Sequence, residues 1–309
     1  MSRIVVFGGS GFLGSAIAAG IEGTVAPPRS QVDLTNANSV RDFLRAGDRV
    51  INAAGYASAT DRSDAGRARL RRENVDAVRI LADECVRANA GQLIHLSSVA
   101  AMGPKTGAGV SECEATEPRS PYAVSKRDAE RVLGGISSLP VTILRPTSVF
   151  GVGRPLATML CRIAGLPVVP LPDGGRAMIP FTYVGNVAAA VRLAVGRESC
   201  FGRTFIVGDA QSYPLREIIE GLARGQGRGR VRVVPIPGAI LRLAATAELR
   251  LRGERSAPLL DPSRIDTMTR SVSYSIKAFQ AVSGYVPPIS LEEATRQIGA
   301  RYVRRSGDA

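Results

Sequence analysis

The chain has 309 residues, 45% of them hydrophobic and 22% charged, with 40 Lys and Arg against 27 Asp and Glu. That composition supports a large core and excludes disordered and collagen-like chains; four scattered cysteines and a single histidine leave no zinc-ligand spacing. The net charge of +13 favours anionic partners, whether phosphorylated small molecules, nucleic acid or a membrane surface.

Met1 leads straight into a strand pattern with no charged leader, and the thiols read as reduced, so a cytoplasmic location is expected. The apolar run at Arg3–Gly9 reads as a strand, residues 39–47 as a helix closed by glycine, and 48–55 as a second buried strand. Residues 61–89 read as a long helix with Val75, Val78, Leu81, Ala82 and Cys85 on one face. It includes the basic run Gly66–Asn74, which has no interleaved aromatics and reads as a solvated face, so no nucleic acid is expected. A strand at Gln92–Ser98, a helix from Tyr122 and a strand at Val141–Thr147 follow. Buried strands alternating with helices predict an α/β fold, a doubly wound parallel sheet covered on both faces.

After Gly153 the pattern becomes irregular and proline-rich, while residues 184–195 and 203–209 return to the sheet. The expected units are a nucleotide-binding domain at 1–155 and 181–208, and a smaller substrate-binding domain at 156–180 and 209–309. The run Ile236–Leu249, broken by Arg242, is expected as a buried amphipathic helix, with lipid contact the lesser reading. No apolar run reaches the roughly 18–20 residues of a membrane span.

The first strand runs into "FGGSGFLGSAIAAG", where Gly9, Gly11 and Gly14 satisfy G-x-G-x-x-G and Gly8, Gly11 and Gly14 the wider G-x-x-G-x-x-G. Glycines allow the tight turn and the close approach of a pyrophosphate, and the helix N-terminus points its free N–H groups at that anion. An acid near the end of the second strand would read a ribose 2′-hydroxyl. Pro28 stands there instead, followed by Arg29, a cation suited to a 2′-phosphate, so NADP is preferred over NAD. Asp33 is placed to meet the adenine amino group or to cap the next helix.

Arginine supplies nearly all the positive charge, and Lys105, Lys126 and Lys277 are the only lysines. Lys126 follows Tyr122 by four residues, on the same helix face. A free tyrosine has a pKa near ~10, too high for a base at neutral pH, and a nearby cation lowers it. A compact ammonium fits that place better than a guanidinium fork. Ser98 ends a strand and would polarise a substrate oxygen; Ser97 points to the opposite face. His95 reads as a buried strand histidine.

Together "GGSGFLG", "NAAG", "LSSVAAMG", "PYAVSK", "ILRPTSVFGVG", "FTYVGNVAAA" and "SGYVPPISLEEA" resemble the extended short-chain dehydrogenase/reductase family over essentially the whole chain. The resemblance implies a Rossmann-type fold and the catalytic set Ser98, Tyr122 and Lys126. It places Phe12, Leu13, Leu34, Ala53, Ala54, Gly55 and Pro146 beside the cofactor with the glycines, Tyr122 and Lys126. It also implies a homodimer through the helices at 61–89 and Tyr122. Family 4,6-dehydratases carry Thr-Asp-Glu where this chain has Ser98-Val99-Ala100, which cannot move the protons of an elimination. The expectation is a ketoreductase or 4-epimerase acting on a nucleotide-activated sugar, with Arg154 and Arg176 as candidates for a diphosphate clamp. Ser148 and Gly185-Asn186 depart from the nucleotide-sugar pattern and favour the alternative, a 3β-hydroxysteroid dehydrogenase-like enzyme with an apolar substrate. A non-catalytic nucleotide sensor is a further reading, opposed by the complete catalytic set.

Overall fold

Strand β1 (Ile4–Phe7) lies between β3 (Arg49–Asn52) and the edge strand β2 (Thr24–Val25) in a six-stranded sheet completed by β4 (Gln92–Leu96), β6 (Val141–Pro146) and β11 (Arg203–Val207). Residues 2–57, 63–252, 265 and 268–307 are described by the computed structural model. The order is β11-β6-β4-β3-β1-β2 and every neighbouring pair is parallel. The chain leaves β1 for β2 on one side and then crosses to β3 on the other, which opens a crevice beyond the carboxyl ends of β1 and β3.

Both faces are apolar, because alternate strand residues point to opposite sides. Val6, Ile51, Ile94 and Leu144 pack with α1 (Phe12–Gly20) and α7 (Val184–Ala194). Val5, Val50, Leu93 and Ile143 pack with α2 (Ala37–Phe43), α4 (Ala77–Arg87) and α5 (Pro121–Gly134). Asn36, Ser63 and Ser120 cap α2, α3 (Asp64–Arg71) and α5 through side-chain oxygens, and Pro121 opens α5, where its missing N–H costs nothing.

The helix expected over 61–89 runs without a break from Asp64 to Arg87, with Arg72–Asp76 forming one π turn between α3 and α4, and 61–62 lie outside the described residues. A second core gathers α6 (Pro155–Ala164), β8 (Val168–Pro172), α8 (Leu215–Gly225) and α11 (Leu291–Gly307) around Leu160, Leu171, Leu222 and Ile298. Residues 276–285, expected in this unit, instead place Ile276, Phe279 and Tyr285 in the core beside the sheet. The helix predicted in 236–249 forms as α9 (Gly238–Arg252), buried at Ala245 but with its large apolar side chains outward: Ile240 is 58% and Leu243 73% exposed.

Asn186 on α7 joins the two regions. Its side chain accepts from Ile289 N (2.9 Å) and donates to Ile289 O and to Asp209 Oδ1 (2.8 Å each). Tyr213 donates to the other Asp209 oxygen at 3.2 Å.

Candidate active site

The chain leaves β1 through Gly8, at φ +81°, where a Cβ would lie 2.6 Å from Ala54 N. A Cβ on Gly14 would stand 2.0 Å from Gly8 O, so α1 begins directly against the turn. At Gly9 it would meet Ala26 Cβ at 2.7 Å. Gly11 caps α1 without a side chain, which leaves the first-turn N–H groups facing an incoming anion. The cradle is thus shaped for a group that approaches the backbone closely and carries negative charge.

A cavity of about 220 Å³ beside this turn brings together Gly8, Gly11, Arg29, Asp33, Leu34, Ala53, Ala54 and Gly55. Pro27, not Pro28, faces it. Asp33 does not cap α2, a place taken by Asn36. Its carboxylate accepts from Thr35 N (3.0 Å) and Thr35 Oγ1 (2.9 Å), and the backbone bond leads in holding it below its usual pKa. Arg29 stands 3.9 Å from Asp33 and 3.5 Å from Glu73, which also lines the cavity. Phe12 and Leu13 start α1, and a Cβ on Gly151 would strike the Phe12 ring at 2.6 Å. Pro146 is the buried last residue of β6.

Ser98 follows β4 and caps the short turn Val99–Met102 by accepting from Ala100 N at 3.1 Å. Ser97 points to the other side and donates to Glu130 at 2.5 Å, which is bound in turn by the buried Arg145 at 2.7 Å. That bond gives Ser97 a structural task. Tyr122 and Lys126 stand one turn apart on α5. Lys126 is buried, and its Nζ donates to Leu96 O at 2.9 Å. Burial draws its pKa down to about 8, against the pull of Glu130.

The phenol of Tyr122 differs from expectation. Burial raises its pKa, while a hydrogen bond with Ser98 and the charge of Arg154 oppose the rise. Lys126, engaged with the strand end, is not among these influences.

Two features were missed or left open by sequence reasoning. Asn74, on the π turn, accepts from Tyr56 N (2.7 Å) and donates to Tyr56 O (3.0 Å) and Ser125 Oγ (2.9 Å). It thereby ties the loop after β3 to α5 between Tyr122 and Lys126. The available signal was an amide in register with the buried face of a helix. Gly55, at φ +149°, makes room for it: a Cβ there would lie 2.8 Å from Asn74 Oδ1. Of the two clamp arginines, Arg154 lies against the site, its guanidinium 5.2 Å from the Phe12 ring centre, whereas Arg176 is exposed. No ion pair engages Arg154 among the described residues. His95 meets Asn52 Nδ2 at 3.3 Å, and burial keeps its pKa well below the usual value, so the ring is neutral.

The profile of the NAD dependent epimerase/dehydratase family matches residues 4–208. The chain belongs to that family. It is an NAD(P)-dependent enzyme of the extended short-chain dehydrogenase/reductase superfamily. Among curated relatives, the 2-alkyl-3-oxoalkanoate reductase of Stenotrophomonas maltophilia is 28% identical, covering 96% of this chain and 98% of its own. Among solved structures, RMD from Pseudomonas aeruginosa complexed with NADPH superposes with a TM-score of 0.76 at 22% identity, over 99% of this chain and 100% of that one. The Thermus thermophilus UDP-glucose 4-epimerase complex with NAD gives 0.71 at 22% identity, over 98% and 99%. These family members share the fold, and a nicotinamide dinucleotide is the cofactor. No helix among the described residues is long and apolar enough to cross a membrane.

Proposed function

We propose that this family member is an NADP(H)-dependent ketoreductase whose substrate carries an anionic group close to the reacting carbonyl. The observation behind this reading is Arg154, a cation set over Phe12 and acting on Tyr122. Such a charge beside the reaction centre recognises an anion and opposes an apolar, steroid-like substrate. The cofactor, seated on the Gly8–Gly14 turn, supplies the hydride. Ser98 orients the substrate oxygen, Tyr122 gives it the proton as the alcohol forms, and Lys126 turns its positive charge toward the ribose. Arg29 in the cavity, and Pro27 and Pro28 where an acid would read the ribose 2′-hydroxyl, support the 2′-phosphate of NADP, although Asp33 and Glu73 also line that cavity.

The substrate class favoured is a 3-oxo acid, supported by the near full-length similarity to a 2-alkyl-3-oxoalkanoate reductase. A nucleotide-activated sugar, reduced or epimerised at C4, is the second reading; the net charge of +13 supports it. The test is NADPH oxidation with a 2-alkyl-3-oxo acid, its neutral ester and a nucleotide-linked 4-ketosugar. Turnover of the acid above the ester supports the first reading, and turnover of the sugar alone overturns it. Mass spectrometry of nucleotide released on denaturation adds a second readout. Stoichiometric NAD points to a redox-neutral epimerase and overturns the ketoreductase reading.

A further inference from the structure

Among the described residues, nothing covers one face of helix α9. Ile240, Leu243, Ala244 and Ala247 are all exposed, and their i, i+3, i+4, i+7 spacing sets them on one stripe. Ala245, off that stripe, is fully buried and seats the helix on the rest of the molecule. The strand leading into α9, β13 (Arg232–Ile236), pairs in parallel with β8 and adds apolar surface. Val234 lies opposite Pro170, and Val168 lies two residues before Pro170 on the same face; all three are exposed.

The same part of the chain is densely basic. Residues 224–252 hold seven arginines and one acid, Glu248, a net charge of 7 − 1 = +6. Arg228, Arg230, Arg232 and Arg242 are exposed. An apolar stripe beside concentrated arginine is the combination by which a helix lies in the headgroup region of an anionic bilayer. A second copy of this chain is a poor occupant, because it would set one segment of net charge +6 against another.

We propose that α9 docks the protein on an anionic lipid surface, with the Ile240–Leu243 face entering the headgroup boundary and the neighbouring arginines meeting the headgroups. This docking is independent of the substrate assignment. The test is flotation of the full chain with vesicles of phosphatidylcholine plus phosphatidylglycerol, and with phosphatidylcholine alone. The expected result is binding to the mixed vesicles only, weakened by salt. An Ile240→Ser, Leu243→Ser double variant should bind at least roughly tenfold more weakly, since two large apolar side chains no longer leave water. The variant should keep the NADPH affinity of the parent chain, which shows that it is folded. Absence of flotation with either vesicle, or equal flotation of the variant, overturns the proposal. So does a concentration-dependent dimer that the double substitution abolishes, because a second copy would then be the occupant.

Discussion

The ammonium of Lys126 is anchored to the carbonyl of Leu96, 2.9 Å away at the end of β4, while Tyr122 stands one helical turn before it. A buried point charge held by one strand carbonyl leaves little room for a planar fork. Lys126→Arg should therefore lower kcat at least ~100-fold, with Lys126→Met no better. Burial has pulled the amine to about 8, so its charge is present below that value and lost above it. A pH–rate profile of the parent enzyme should fall through about 8, and the Lys126→Met profile should lack that limb.

Tyr122→Phe removes the proton donor and leaves the helix intact. kcat should drop by roughly 10²–10⁴ while NADPH titration by fluorescence is unchanged. Unaltered turnover in this variant would remove Tyr122 from the assigned role.

Ser97 and Ser98 are neighbours with separable losses. Ser97→Ala deletes a hydrogen bond to the buried Glu130–Arg145 pair, which should cost about 1.5–3 kcal/mol of stability in a denaturant titration, with kcat little changed. Ser98→Ala should do the reverse, lowering kcat with a small change in the denaturation midpoint.

Gly14→Ala places a methyl 2.0 Å from the Gly8 carbonyl oxygen, where neither backbone segment has a flexible end to yield. Cofactor binding should be lost altogether, as read by calorimetry on whatever folded protein is recovered.

Asp209 gives a pH dependence of stability. Burial lifts its carboxyl to about 6 from 3.8, against the hydrogen bonds from Asn186 and Tyr213. The folded chain thus holds this proton at pH values where the unfolded chain has lost it. Its contribution is full below the unfolded value and declines as pH rises through about 6, by up to about 3 kcal/mol. Denaturant titrations between pH 4 and 7 should show that decline, and Asp209→Asn should flatten it.

The sheet was readable because its strands are short apolar runs separated by helical segments, and such runs are buried on both faces whatever the rest of the chain does. The glycine turn and the Tyr122–Lys126 spacing were readable because each depends on residues close in sequence. What could not be read depends on distant packing. The direction taken by the Lys126 amine is set by Leu96, thirty residues earlier. Asn74 matters only because a π turn aims it at Tyr56 and Ser125. The exposure of Leu243 contradicts its amphipathic pattern, since periodicity reports that a helix has an apolar face and not what covers it.

The amide of Asn186 uses its oxygen for Ile289 N and its nitrogen for both Ile289 O and Asp209. An aspartate in its place could supply the first of these bonds but neither of the others, and it would set a second carboxylate 2.8 Å from one already short of solvent. The two positions are therefore coupled in sequence space. Relatives that carry an acid at the place of Asn186 should have lost the one at the place of Asp209, and the two exchanges should be tolerated together where either alone is not.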